Sequence, residues 1–518
     1  MAERRVVADI VRQQAQARPD GVAFVDDHRS VTYAELDRWS NRLAQALLRA
    51  GIGRQDRVAF LSRNRIDYYA LAFATSKIGA VIVPVNWRLA PAECADVLAD
   101  AEPAIVFVED ELLDLLGEPA VVDAASLVTY GTVDGLADVD TWLADAPDED
   151  PGVVGEPDDV MWLIYTSGTT GRPKGVMLGN DNLMTMIDGL ADAWGFRDGC
   201  VVYMPYPAFH AVGTAWGMLT CHRGGTVVLR REFSSADFLA QVTRHAVTNT
   251  MMVPAVLQMV LADDGIVDAD LSTLRTIVYG AAPITSTTLD AAIARMPDVE
   301  FVHAYGLTEA TGTVTTLPWD EHDPGGPRMR SCGRAFDWVT FRVVDPLTLE
   351  DCAPGQSGEV WVQSPTVMLG YFRRPDETAA AITTDGWLRT GDAGHVDEDG
   401  YLYLTDRVKD MVISGGENIY PAEVENVLHA HPAVAQVAVV GVPDERWGEA
   451  VRAIVVPEAG VEVQPDDLIA WCRERLAHYK CPKGIDLRSE PLPLNPTGKV
   501  MRRELRRPYW EGHDAGIA

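Results

Sequence analysis

Positive charge is what this chain has least of for its size. Its 518 residues carry 44 Lys and Arg against 76 Asp and Glu, a formal net charge of −32 and a pI near 4.6. A nucleic-acid footprint needs a basic stripe, so the balance argues against that class. An anionic ligand must then be caught by local cations and oriented N–H groups, against the overall field. Cysteine is also sparse: the seven, at 94, 200, 221, 332, 352, 472 and 481, form no C-x-x-C pair. Neither a zinc site nor a disulfide framework is suggested, which fits a reducing cytosol. No run approaches a membrane span, and Arg4-Arg5 is followed by no apolar leader. A soluble cytoplasmic protein is expected. The G-x-S-x-G elbow of a hydrolase is absent too.

What is present is length and one unusual loop. At 56.5 kDa the chain exceeds what a single hydrophobic core supports, so two or more domains are expected. The strand-like run 160–164 leads into Tyr165-Thr166-Ser167-Gly168-Thr169-Thr170-Gly171-Arg172-Pro173-Lys174-Gly175. Glycines let backbone N–H groups approach phosphate oxygens, hydroxyls add donors and a lysine adds a point charge, so the loop reads as a triphosphate cradle. Arg172 and Pro173 break the Walker spacing, and the third glycine of a dinucleotide fingerprint is missing. Alone, the G-T-T-G core fits a flexible surface turn equally well.

Along the chain, helices are predicted over 7–17, from Thr32 with Glu35 completing a capping box, and over 69–78, with strands at 22–25, 58–61, 80–85 and 104–108. Residues 133–159 hold ten acidic and no basic side chains and read as a solvated connector. Apolar runs at 201–204, 226–229, 249–253, 276–280 and 300–304 resemble buried parallel strands, whose ligands sit beyond their carboxyl ends. That rule gathers Pro205, Gly280-Ala281-Ala282 and Tyr305-Gly306 near the phosphate loop. After 330, short alternating strands between Gly and Pro suggest a barrel-like subdomain. Beyond 410 come a helix opened by Pro421, strands at 434–440 and 451–456, a helix near 466–478 and a Pro/Gly-rich tail.

Four further stretches carry chemistry-bearing residues. They are Tyr305-Gly306-Leu307-Thr308-Glu309, Thr390-Gly391-Asp392 after an expected tight turn, Arg407, and Asn495-Pro496-Thr497-Gly498-Lys499. Singly, each has a plain structural reading: Asp392 as a turn cap, Glu309 as a helix-start residue, Lys499 as a solvated lysine. Jointly and in this order, with 386–392, 406–410 and 414–421, they resemble the adenylate-forming superfamily, in its branch of acyl-CoA synthetases. The resemblance runs from about residue 10 to about 505.

It implies an α/β fold: a large N-terminal domain over 1–405, of two doubly wound subdomains plus a barrel-like one, a hinge at 406–410 about Lys409, and a small mobile α+β domain over 411–518. It implies attack of a carboxylate on the α-phosphate of Mg-ATP, giving acyl-adenylate and pyrophosphate, and then acyl transfer to the thiol of coenzyme A with release of AMP. Thr166, Ser167, Gly168, Thr169, Thr170 and Lys174 would meet the phosphates, and Glu309 the Mg2+ ion. Gly280, Ala281, Ala282 and Tyr305 would wall the adenine, Thr308 would touch the α-phosphate, and Asp392 with Arg407 would hold the ribose. Lys499 would bridge carboxylate and α-phosphate during adenylation. After rotation of the small domain, Ser414, Gly415 and Gly416 would line the pantetheine path, with Trp447 and Lys480 near the CoA nucleotide; ordinary packing accounts equally well for Trp447.

His210 stands where acyl-CoA synthetases contact the acid. Gly213 ends the same acyl-contacting stretch, and Gly280, Ala281, Ala282, Gly306, Leu307, Thr311 and Gly312 would form a facing wall of mostly small, uncharged residues, with Trp216, Met252 and Val253 contributing. With no arginine there, an apolar monocarboxylic acid of medium to large size is expected rather than a dicarboxylate. No carrier segment follows 505, which favours free CoA over a fused carrier. A separate carrier protein as acceptor, a homodimer, and a non-catalytic nucleotide-binding homologue stay open as alternatives.

Overall fold

The computed structural model describes residues 6–117, 123, 126–152, 155–167, 173–282, 284–322, 326–407, 410–414, 417–419, 421–444, 448–476, 478–494 and 500–511. They divide into two compact units, Met1–Phe341 with Val362–Leu388, and Arg342–Trp361 with Arg389–Ala518.

Two sheets organise the first unit. The nine-stranded sheet runs, in spatial order, Arg334–Ala335, Thr315–Leu317, Glu300–Tyr305, Thr276–Gly280, Asn249–Met252, Val201–Met204, Thr226–Leu229, Val22–Val25 and Ser30–Thr32. Its central pairs are parallel, with Gly280 opposite Ala304 and Met252 opposite Tyr279. Short continuous Val/Ile/Met/Tyr runs suit strands covered on both faces. Their carboxyl ends therefore share one edge of the sheet. Val22–Val25, expected as a strand, pairs parallel with the distant Thr226–Leu229, Phe24 lying opposite Val227. An apolar run specifies a buried strand but not its partner.

The eight-stranded sheet runs Gly370–Tyr371, Pro173–Gly179, Val160–Ser167, Val81–Pro84, Arg57–Leu61, Ile105–Glu109, Leu127–Tyr130 and Ala137–Asp138. The helix Ile66–Lys77 is buried along its whole length. Tyr68 shares a 2.6 Å hydrogen bond with Thr214 and accepts from Trp162 Nε1 at 2.9 Å. Even Lys77 is wholly buried; its ammonium donates to Asp37 at 2.6 Å and Asn41 at 2.5 Å, which offsets the desolvation that lowers its pKa. Asp37 and Asn41 lie on the helix Tyr33–Arg49, whose start carries the expected capping box between Thr32 and Glu35.

Residues 133–159 are less free than their acidity suggested. Ala137–Asp138 extends the sheet, and the carbonyls of Leu143, Asp145, Asp148 and Glu149 accept from Arg42, Arg49, Asn41 and Gln45 along the Tyr33–Arg49 helix. Backbone carbonyls, which composition does not display, pin this segment.

In the second unit, Thr340–Val344, Gly358–Gln363, Leu388–Val396 and Leu402–Arg407 form a four-stranded sheet. A further sheet orders Glu417–Ile419, Val412–Ser414, Gly448–Pro457 and Val434–Asp444, with Gly484–Leu487 parallel to Gly448–Pro457. Helices Pro421–His429 and Pro465–Arg473 pack on it through Val424, Leu428, Leu468 and Cys472. The expected irregular tail is instead partly the helix Arg502–Trp510, which inserts Leu505 beside Ala438, Val440 and Ile454. Among the described residues no helix is long and apolar enough to cross a membrane.

Candidate active site

The strands on either side of the expected phosphate-binding residues pair as an antiparallel hairpin. Val160–Ser167 pairs with Pro173–Gly179, placing Tyr165 opposite Gly175 and Thr166 opposite Lys174. The first strand was expected from its apolar run; the second, interrupted by Pro, Lys and Gly, was not. Gly168, Thr169 and Thr170 lie outside the described residues, and Ser167 is described through its backbone alone. The base of the hairpin is anchored from outside: the Tyr165 hydroxyl donates to Asp100 at 2.7 Å, and Arg374 donates to the other oxygen of Asp100 at 2.6 Å.

Lys174 is ion-paired with Glu377, and its ammonium lies 5.2 Å from the centre of the Tyr371 ring. The Tyr371 hydroxyl donates to Glu309 Oε1 at 2.9 Å. Burial, reinforced by the Glu309 carboxylate, pushes the Tyr371 phenol well above its ordinary range, so it stays protonated and donates. One aromatic ring thus touches both the lysine and the carboxylate expected to face a metal–triphosphate.

The segment 365–372 straps the two sheets of this unit together. The Pro365 and Val367 carbonyls accept from Asn182, and Met368 N donates to the Glu309 carbonyl at 2.8 Å. Leu369 N and Phe372 N donate to Met177 and Gly175, and Tyr371 pairs with Val176 on the outer edge of the hairpin. The strap thereby brings the hairpin to Glu309.

Glu309 sits in a short 3-10 turn, Thr308–Ala310, just past the strand Glu300–Tyr305. The Leu307 carbonyl accepts from Ala310 N and Gly312 N, which folds 306–312 back on itself. A Cβ on Gly306 would stand 1.6 Å from the Gly312 carbonyl oxygen. Glycine here is demanded by this backbone contact and is no sign of an open wall. Tyr305 is buried at its strand end, Gly280 ends the neighbouring strand, and Ala281, at φ 63°, and Ala282 follow it toward solvent. These residues do share the carboxyl edge, as the sequence implied. Met252 ends the next strand along that edge, with Val253 after it.

His210 precedes the helix Ala211–His222 and accepts from Thr214 N through its carbonyl. It is an exposed residue whose ring is crowded against that of Phe209, 4.6 Å away between centres. That crowding, with Arg88 nearby, pushes its pKa down to about 4, leaving the imidazole neutral at pH 7. Two other expected acyl residues are placed for packing. A Cβ on Gly213 would lie 2.1 Å from the Pro207 carbonyl oxygen, and Trp216 is buried in a stack with Trp194 and Phe196.

The second unit brings Asp392 and Arg407 directly opposite one another in an antiparallel pair. Asp392 is not after a free turn but inside the strand Leu388–Val396, following Gly391 at φ 68°, and is buried. Its N–H donates to Thr390 Oγ1, whose hydroxyl donates to the Val360 carbonyl at 2.7 Å. Ser414 pairs with both Glu417 and Gly448. Lys480 is held by both oxygens of Glu423 at 2.7 and 2.8 Å, so it sits in an intramolecular salt bridge. Lys409, Gly415, Gly416, Trp447 and Lys499 lie outside the described residues; an antiparallel bridge between Leu494 and Val500 brackets the Lys499 loop.

The chain is similar to known proteins over nearly its whole length. The family model described as AMP-binding enzyme matches residues 11–372, and that of its C-terminal domain matches residues 423–499. The chain belongs to the AMP-binding enzymes. A fatty acid–[acyl-carrier-protein] ligase from Streptomyces coeruleorubidus is 40% identical over 96% of this chain and 95% of that protein. A feruloyl-CoA synthase from an Amycolatopsis species is 38% identical over 96% of this chain and 98% of its own length. Among solved structures, ATP-bound MatB from Rhodopseudomonas palustris superposes with a TM-score of 0.87 at 31% identity, covering 98% and 100% of the two chains. This AMP-binding enzyme is an AMP-forming acid–thiol ligase with a large N-terminal and a small C-terminal domain.

The residues fit a magnesium ion that arrives with its nucleotide. Among the described residues no three His, Cys, Asp or Glu side chains cluster as a self-sufficient metal site. Glu309, partly exposed, uses only one oxygen on Tyr371. One carboxylate plus substrate phosphates is the usual way Mg2+ is held, and the ion would spread phosphate charge during attack. Sequence reasoning missed Tyr371 and Glu377. Their only signal was Arg374-Pro375-Asp376-Glu377, a helix start with Pro at its first position, which reads as ordinary capping.

Proposed function

We propose that this ligase activates an apolar monocarboxylic acid of medium to large size, a fatty or bulky cyclic acid, as its adenylate and transfers the acyl group to coenzyme A. The observation that carries the ATP half is the meeting of Lys174 and Glu309 at Tyr371. Lys174 and the hairpin amides hold the leaving pyrophosphate, and Glu309 takes the metal. Asp392 with Arg407 takes the ribose, and Lys499 supplies charge at the α-phosphate as the carboxylate attacks. Such oriented charge is worth several kcal/mol at a developing anion. For the acid half, His210 is neutral, and the 306–312 turn contains no basic side chain to pair a second carboxylate. The names of the two curated relatives above, one for a fatty acid and one for ferulate, support this class of acid. Residues 406–410, with Lys409, act as the hinge about which the small domain turns between the half-reactions.

A second reading has its own support. The 40% identical relative is named for loading an acyl carrier protein, so a carrier's phosphopantetheine thiol is the alternative acceptor. An acid panel assayed for pyrophosphate release, with CoA, with a phosphopantetheinylated carrier, or with neither, decides between them. Acyl-CoA identified by mass supports the first reading, and acylated carrier without acyl-CoA the second. Failure of every apolar monocarboxylate to release pyrophosphate would overturn the substrate class.

A further inference from the structure

Tyr371 and Glu377 take no part in the reaction as set out above, yet both touch its phosphate-facing residues. Lys174 is only 15% exposed, and a lysine so far removed from water needs a partner when no phosphate is present. Glu377 is that partner. The same carboxylate would repel a bound triphosphate, so it must give way when one arrives. The structure supplies somewhere for it to go: Glu377 lies in the first turn of the helix Pro375–Ala381, and its Oε1 is already 3.8 Å from Arg374 Nε. Arg374 would pair with the carboxylate once Lys174 turns to a phosphate.

Tyr371 cannot follow such a movement. Its N–H donates to Thr378 Oγ1 at 2.9 Å, its backbone pairs with Val176, and its hydroxyl is fixed on Glu309. The ring is a fixed floor for the ammonium, and the hydroxyl holds one oxygen of Glu309 so that the other points away. The geometry points to Tyr371 as a positioning residue that sets Glu309 relative to Lys174, and to Glu377 as an internal counter-ion that occupies Lys174 until a polyphosphate displaces it. This rests on the reading of Lys174 and Glu309 as the phosphate- and metal-facing pair.

Calorimetric titration of the full chain with ATP, pyrophosphate and AMP, across a range of Mg2+, tests both parts. Glu377→Gln removes the competing charge and is expected to tighten ATP and pyrophosphate about fivefold while leaving AMP, which lacks the β- and γ-phosphates, unchanged. Glu377→Asp, which keeps the charge, should bind all three as the unaltered chain does. Tyr371→Phe keeps the ring beneath Lys174 and removes the donor, so the Mg2+ concentration giving half-maximal ATP affinity should rise about tenfold, with AMP binding again unmoved. Equal shifts for AMP and ATP in either variant would mark a general structural role and overturn the proposal. So would weaker ATP binding in Glu377→Gln, or an unchanged Mg2+ dependence in Tyr371→Phe. Lack of ATP binding by the unaltered chain would overturn the phosphate reading beneath it, whereas normal binding with unaffected variants would overturn this inference alone.

Discussion

The hydroxyl of Thr311 donates to the carbonyl of Thr366 at 2.5 Å, closing the turn that carries Glu309 onto the strap that carries Tyr371. Thr311 is fully buried and held at φ 60°. Thr311→Val keeps the shape but leaves that carbonyl unsatisfied, an expected cost of about 1–2 kcal/mol. Calorimetry should show a lower melting temperature, and ATP titration a weaker affinity through the loosened Glu309 turn. A variant that melts and binds like the parent would disprove this role for the bond.

Adenylation and thiolation should separate at Lys499. With charge compensation lost at the α-phosphate, Lys499→Ala is expected to slow acid-dependent pyrophosphate release by about 10²-fold or more. Thioester formation from a supplied acyl-adenylate should persist. Equal loss in both half-reactions, measured by single turnover, would remove the lysine from the first step.

Gly213 is a packing requirement near His210, which is proposed to face the acid. In Gly213→Ala the new methyl meets the Pro207 carbonyl oxygen at 2.1 Å, in a region already fixed by the Tyr69 hydroxyl on the Gly213 carbonyl. Overpacking of this kind costs about 1–3 kcal/mol, and the 205–210 segment must shift to relieve it. The apparent KM for the acid should rise more than that for ATP. A uniform change in both would point to global destabilisation instead.

Acid sensitivity should trace partly to His303. It lies against Tyr279 at 4.9 Å between ring centres, beside His322, which shares a hydrogen bond with the Tyr279 hydroxyl. Burial, then His322, pushes its pKa down to about 4, below the unfolded value of about 6.5. Between these values the unfolded chain binds more protons, so the stability contributed by neutral His303 is complete above about pH 6.5 and is lost as pH falls toward 4. His303→Gln should narrow the gap in melting temperature between pH 7.5 and pH 5. An unchanged gap would assign the acid sensitivity to other groups.

Much of this architecture was visible in the sequence wherever a local pattern decides the outcome. The apolar runs at 276–280 and 300–304 are buried parallel strands, and Thr32 with Glu35 caps a helix, because periodicity and capping are local properties. What periodicity cannot carry is partnership. Val22–Val25 gave no sign that it would cross to Thr226–Leu229, and nothing in 365–377 announced that Tyr371 would find Glu309, 62 positions away. The glycines have a packing reason that composition does not display. At Gly213 and Gly306 the missing side chain is needed by neighbouring backbone. Trp216 packs against the rings of Trp194 and Phe196, contacts that no local pattern displays.

The strap also sets an order of assembly on the ribosome. The outer strand of the phosphate hairpin, Pro173–Gly179, is synthesised long before its edge partner Gly370–Tyr371 emerges. Through that interval the nascent chain shows an unpaired strand edge, the kind of surface that recruits other strands. Residues 173–179 carry their own protection, opening with a proline that donates nothing to the ladder and a lysine that discourages stacking. Lys174, paired with Glu377 in the finished fold, would earlier in its life have kept the edge soluble.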